Sequence, residues 1–288
     1  MIFKYFDAHT HLNIRFADDW QEAGRRALEA GVAFVNVGAD IKSSVLAVEQ
    51  AKTLGDGVWA TVGIHPTEDS ADFSVIEKLA TDEKVVAIGE CGLEYFRLKN
   101  EEIKEKPDSA KSSVVAKQKE LFKKHIELAL KVGKPLMIHC RPASTRSFGE
   151  AKDAYEDTWE ILKSYKDKFD NKLQFNMHFF AGDWSTAQKF LDLGGYLSFT
   201  GVITFTDQYD EVIKKMPLDR LMAETDAPFV TPKVDPKADF VAPVPHRGER
   251  NEPAFIQFVA ERIAELRSEP GEEVLMALVQ NAKNFFRL

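Results

Sequence analysis

Seven histidines are scattered along the chain, at positions 9, 11, 65, 125, 139, 178 and 246. Five of them, His9, His11, His65, His139 and His178, close short apolar runs of extended character. Glu90, in Ile88-Gly89-Glu90-Cys91-Gly92, and Asp226, in Glu224-Thr225-Asp226-Ala227-Pro228, close two more. Neutral imidazole binds divalent ions at about 2.0–2.1 Å, and carboxylate oxygens complete such sites. His9 and His11 stand two apart on an extended run, so both rings leave the same face. The chemistry this set supports is hydrolysis, by a water that bound ions acidify toward a pKa of about 7.

Residues so far apart act together only if the fold gathers them. The apolar runs at 6–12, 33–38, 58–65, 85–93, 135–140, 173–180, 195–202 and 221–228 are eight in number. Amphipathic stretches such as 20–30 and 185–193, stopped by Gly31 and by Gly194-Gly195, lie between them. The alternation predicts a closed, parallel (β/α)8 TIM barrel as one domain over residues 1–288. Two further helices, near 252–267 and 271–285, would close it. All strands of such a barrel end at one mouth. The eighth strand neighbours the first, which puts Asp226 beside His9 and His11. Strands four to six are consecutive, which groups Glu90 with His139 and His178. Two half-sites result, and Glu90 is placed to bridge them; two ions about 3.5–4 Å apart would stabilise attacking and leaving oxygens together. Residues 99–113 and 142–152 read as insertions overhanging that mouth.

Composition narrows the classes. With 44% hydrophobic and 29% charged residues the chain reads as a globular protein, and no apolar run approaches the roughly 20 residues that span a bilayer. The first residues have no signal-peptide layout, and two distant cysteines make no disulfide framework, so a cytoplasmic location is expected. A net charge of −8 argues against broad wrapping of nucleic acid, but leaves room for a local site holding one or two phosphates.

The residues resemble the TatD family of metal-dependent deoxyribonucleases, within the amidohydrolase-like barrels. The stretches that carry the likeness are Phe6-Asp7-Ala8-His9-Thr10-His11-Leu12, Val62-Gly63-Ile64-His65-Pro66, Ile88-Gly89-Glu90-Cys91-Gly92-Leu93-Glu94-Tyr95, Met137-Ile138-His139-Cys140-Arg141, His178-Phe179-Phe180-Ala181-Gly182, Glu224-Thr225-Asp226-Ala227-Pro228 and Arg250-Asn251-Glu252-Pro253. They run in the family's order from the first strand to the last helices. The resemblance implies metal-dependent cleavage of DNA phosphodiesters, often 3′-to-5′ exonucleolytic, on single strands or 3′ ends. It implies two divalent ions (Mg, Mn or Zn) held by His9, His11, Glu90, His139, His178 and Asp226. Phe179 and Ala181 depart from the family's usual Cys and Ser, Glu94 from its Asp and His125 from a common Gln, which leaves substrate preference open.

Roles follow for the remaining groups. Asp226 is the expected general base and Glu90 the bridge, with His65 binding the phosphate or protonating the leaving oxygen. Arg141, Arg247 and Arg250 are the phosphate candidates, the last two lying just before a helix N-terminus. Glu224 and Asp7 share strand parity with Asp226 and His9, and would either orient ligand histidines from behind or make buried structural hydrogen bonds. Cys91 and Cys140 should face away from the ions, and Phe179, Phe180 or Trp184 could stack on a base. A lactone, amide or phosphotriester hydrolase on the same scaffold is the main rival; a non-catalytic barrel is the second.

Overall fold

The computed structural model describes residues 3–16, 18–68, 72–97, 108–143, 154–168, 172–233 and 248–288. Eight parallel strands follow one another around a barrel in chain order: β1 Tyr5–Thr10, β2 Val32–Val37, β3 Val58–Val62, β4 Val85–Glu94, β5 Leu136–Arg141, β6 Phe175–Met177, β7 Tyr196–Phe199 and β8 Leu221–Ala223. The seam between β8 and β1 is closed past the end of β8. Asp226 N–H donates to His9 C=O at 2.9 Å, and His11 N–H to Ala227 C=O at 2.7 Å. Outside lie α1 Trp20–Glu29, α2 Ile41–Leu54, α3 Ser74–Leu79, α4 Asp108–Val132, α5 Ala154–Lys168, α6 Trp184–Asp192 and α7 Asp210–Lys215. Two closing helices, α8 Ile256–Leu266 and α9 Gly271–Phe286, follow the last strand. Among the described residues no helix is long and apolar enough to cross a membrane.

Each face of the strands has its own apolar layer. One joins Phe34, Ile88 and Leu136 to helix residues such as Ala47, Phe122 and Phe190. The other joins Phe6, Val35, Met137 and Met222 to Phe285 and Phe286 of α9. Phe6 stacks on Phe286 at 5.9 Å, and Asn281 donates to Leu218 and Leu221 C=O, so α9 closes the end away from the strand C-termini. Full burial of rings of this size contributes about 1.5–3 kcal/mol each.

The sequence reading differs from the structure at one of the two expected insertions. Residues 108–113, assigned to an insertion, form the first turns of the 25-residue α4. Lysine, alanine and serine are tolerated in a helix whose packing is set further along, so polar composition misled there. Residues 99–107 and 144–152 lie outside the described residues.

His125 of α4 is a structural histidine. Its Nε2 accepts the Ile64 N–H at 3.0 Å, and its Nδ1–H donates to Leu121 C=O at 2.8 Å. The first bond requires the neutral ring, and burial brings its pKa down to about 4 although the Leu121 bond favours the charged form. The unfolded chain takes up a proton near pH 6.5 that the folded chain refuses until about pH 4. Stability from this residue is therefore complete above about pH 6.5 and is lost on acidification toward pH 4, at about 1.4 kcal/mol per pH unit. In His125→Gln, which has no proton to gain, the drop in unfolding free energy between pH 7 and pH 5 should be smaller by about 2 kcal/mol. Equal drops in chemical denaturation of both proteins would remove His125 as the source.

Candidate metal centre

The six residues expected to hold ions converge at the mouth, and the reason lies in two local irregularities of the strands. β1 shifts register against β2 between Asp7 and Thr10, and β4 shifts against β5 between Ile88 and Cys91. Such bulges re-aim the side chains that follow them. The second is made possible by glycine on either side of Glu90. Gly89, at φ 142°, would place a Cβ 2.3 Å from Met137 O, and Gly92, at φ 136°, would place one 2.0 Å from His139 O. Only glycine lets β4 approach β5 this closely.

Two donor groups share Glu90. In the first, His9 Nε2 and His11 Nε2 are 3.0 Å apart; each faces Asp226 Oδ1, at 3.7 and 3.5 Å, and Glu90 Oε2, at 3.8 and 3.6 Å. In the second, His139 Nδ1 and His178 Nε2 both lie 3.0 Å from Glu90 Oε1 and 3.4 Å from each other. All six side chains are buried or nearly so. The rear nitrogens are anchored: His11 Nδ1 to Val37 C=O at 2.8 Å, His139 Nε2 to Glu94 at 3.1 Å, and His178 Nδ1 to Glu224 at 3.2 Å. Anchoring of this kind fixes ring orientation and directs the opposite nitrogen inward. His9 is the exception, its Nδ1 buried without a partner and its ring stacked on His178 at 3.8 Å.

Electrostatics follow from crowding. Burial alone would raise the Glu90 carboxyl, but the charges of His178 and His65 and its histidine hydrogen bonds hold it well below the usual range. Burial works against a charged His178, yet Glu224 and Glu90 push its pKa well up. His139 and His11 are raised in the same way, against burial, by Glu90 and Glu94 for the one and Asp226 and Glu90 for the other. His9 goes the other way, lowered by burial and then by the neighbouring histidines. Imidazole nitrogens and carboxylate oxygens converging at these distances suit divalent cations, as His9-His11-Glu90 and His65-Glu90-His139 each illustrate.

Other expected residues fall in different places. His65 stands closer to the second group than anticipated, its Nε2 3.8 Å from Glu90 Oε1 and its ring 4.4 Å from that of His139. Its Nδ1 lies 2.6 Å from the Thr67 hydroxyl and accepts the Thr67 N–H at 3.2 Å, which leaves Nε2 facing Glu90. Burial, then the charge of His139, brings its pKa to about 3. Glu224 meets its expected partner and also accepts the Phe179 N–H at 2.7 Å and the Ser198 hydroxyl at 2.5 Å.

Asp7 does not orient a ligand ring. The β1 register shift separates it from the parity of His9, and its carboxylate instead accepts the Thr225 N–H at 2.8 Å, the Thr225 hydroxyl and the His9 backbone N–H. It thereby ties β1 to the turn that carries Asp226, a residue at φ 51°. Asn251 holds the same turn through Thr225 C=O at 2.9 Å and Phe229 C=O at 2.7 Å.

Arg250 gives its guanidinium to Asp19, through Nη1 at 2.9 Å and through Nη2, and lies over the Phe16 ring. The phosphate role expected of it meets an acidic partner already in place. Arg247 lies outside the described residues. Arg141 lies over Phe96, 4.0 Å from the ring centroid. Cys91 and Cys140 are buried thiols outside any disulfide, Cys91 against Met137 C=O and Cys140 against Thr158 of α5. Phe180 is a core residue, packed on Tyr155 and Phe199, so it offers no face to a base. Glu94 was not singled out by the sequence for orienting His139, although its position four residues after Glu90 on a strand could have suggested it.

A family model described as TatD related DNase matches residues 6–287. The chain is 36% identical to the protein named uncharacterized metal-dependent hydrolase YabD of Bacillus subtilis, over 98% of this chain and 99% of that one. It is 29% identical to the protein named 3′-5′ ssDNA/RNA exonuclease TatD of Edwardsiella piscicida, over 96% of each. In fold it matches the crystal structure of YjjV, a TatD homolog from Escherichia coli, with a TM-score of 0.79, 24% identity and full coverage of both chains. The barrel, the histidine and carboxylate stretches at its mouth and the full-length match agree: the chain belongs to the family of TatD-related DNases.

Proposed function

We propose that this protein is a metal-dependent phosphodiesterase that shortens single-stranded DNA from its 3′ end. The observation that carries the reading is the sharing of Glu90, one oxygen facing each of two nitrogen-rich donor groups. His9, His11 and Asp226 would hold one divalent ion and His139 and His178 a second, with Glu90 common to both. Ions there supply positive charge that acidifies water and neutralises phosphoryl oxygens.

The protein's own groups do the rest. Asp226 accepts the proton of the attacking water, its carboxylate standing at the first donor group on a turn fixed by Asp7 and Asn251. His65 donates its Nε2–H to a phosphate oxygen. A ring whose pKa is brought to about 3 is neutral at working pH, which favours hydrogen bonding over protonation of the leaving group. Glu94 and Glu224 keep His139 and His178 in register. The direction of digestion is taken from the relative named as a 3′-5′ exonuclease.

The test is a 5′-labelled single-stranded oligonucleotide incubated with protein stripped by chelator and then reloaded with magnesium or manganese. Products shortening stepwise from the 3′ end only after reloading are expected. A reloaded protein that leaves the oligonucleotide intact would end the nuclease reading and turn attention to lactones and small phosphate esters.

A further inference from the structure

Large apolar side chains are rarely exposed among the described residues, and two of these, Phe96 at 38% and Phe229 at 36%, follow strand ends that build the metal centre. Phe229 donates its N–H to Asp226 C=O at 2.9 Å, and its ring meets His11 edge-on at 6.3 Å. Phe96 comes two residues after Glu94, the anchor of His139. One ring therefore neighbours each donor group.

Each ring also carries a guanidinium, Arg15 5.3 Å from the centroid of Phe229 and Arg141 4.0 Å from that of Phe96. Neither guanidinium makes a close ion pair with a carboxylate among the described residues, although the charge of Arg141 reaches Glu94. Arg26, Arg250, Arg262 and Arg267 differ in this respect, each being paired with an acid. An exposed ring with an arginine over it that makes no close ion pair has the two surfaces a nucleotide requires. Bases stack on aromatic rings and on guanidinium planes, and phosphate accepts from the N–H edge of the guanidinium.

We propose that Phe229 with Arg15 and Phe96 with Arg141 form two nucleotide subsites, one at each half of the centre, gripping unpaired bases near the scissile phosphate. The proposal rests on the phosphodiesterase reading and adds the reason for single-strand preference. A duplex keeps its base faces stacked against one another, so neither ring can be used without unpairing. The sequence had pointed to the aromatics after the sixth strand instead.

The test uses binding, so that it does not depend on turnover. In the full-length protein carrying Asp226→Asn, fluorescence anisotropy measures a labelled oligothymidylate and the same oligonucleotide with abasic residues at its two 3′-terminal positions. Phe229→Ala and Phe96→Ala should each weaken binding of the base-bearing strand about tenfold and leave the abasic strand within about twofold. Phe229→Trp should restore binding, and Arg15→Ala or Arg141→Ala should weaken both strands. Unchanged binding in both alanine variants, or equal losses for base-bearing and abasic strands, overturns the subsites. Hydrolysis of bis(4-nitrophenyl) phosphate by the wild-type protein separates the two levels. If that base-free diester is cleaved while the alanine variants bind normally, only the subsites fall; if it is not cleaved and no oligonucleotide binds, the phosphodiesterase reading falls with them.

Discussion

Replacing Asp226 with asparagine should lower the turnover number on an oligonucleotide by a factor on the order of 10³, the scale of a lost general base. The substitution is nearly isosteric. Asparagine tolerates the left-handed conformation at φ 51°, and the backbone bonds to His9 and Phe229 do not involve the side chain. What disappears is a carboxylate oxygen facing His9 Nε2 and His11 Nε2, able to take a proton from water. Folding should be unaffected, with the thermal midpoint close to that of the unaltered protein, but Asp226 would also help to hold the first ion, so the two proteins are compared at metal concentrations that fill the site in both. The measurement is single-turnover cleavage by both proteins after identical purification, with bound metal determined on the same samples. A co-purifying nuclease would ignore the change. Cleavage within about threefold of the unaltered protein, at equal metal content, would remove Asp226 from the base role.

Replacing Glu90 with glutamine should have a wider effect, because both donor groups depend on one side chain. Oε1 serves His139 and His178 and Oε2 faces His9 and His11, whereas a glutamine offers one oxygen and one amide nitrogen. Whichever way the amide turns, one group loses its anion and meets N–H donors instead. Loss of an outer partner to a metal site costs about 10–100-fold in affinity, so loss of a shared inner one should exceed that for at least one ion. Titration against a chromophoric chelator reads the affinities, and cleavage should fall with occupancy. Two ions bound with unaltered affinity would show that Glu90 is not the bridge.

Much of this was legible in the chain. Each of the eight strands lies within or one to two residues beyond its apolar run, and strand adjacency alone grouped Asp226 with His9 and His11, and Glu90 with His139 and His178. The two register shifts were not legible. Strand parity left Asp7 open between a ligand ring and a buried structural hydrogen bond, and an extra residue in β1 accompanies the second outcome, its carboxylate bonded to Thr225. Exposure was equally hidden: Phe180, Phe96 and Phe229 are the same residue type, and only packing decides that the first is core and the others are open. Arg250 read as a phosphate candidate or a partner of a nearby glutamate; Glu252 does lie 3.6 Å away, but Asp19, its closest partner, lies 231 positions away in sequence. Contacts that distant depend on the closed barrel and leave no local signature.

The seam between β1 and β8 has a consequence for the life history of the molecule. His9 and Asp226 are made far apart in time, and Asp7 finds Thr225 across 218 positions of sequence. Contacts of such separation carry a large loop-closure cost and are repaid only when most of the barrel exists. A growing chain on the ribosome therefore has the first histidine pair long before it has the carboxylate that completes their group. Any chemistry at this centre is withheld until synthesis has passed the eighth strand and the ring has shut. The order in which the parts are made thus acts as a safety catch, and a prematurely terminated chain is left with an incomplete centre.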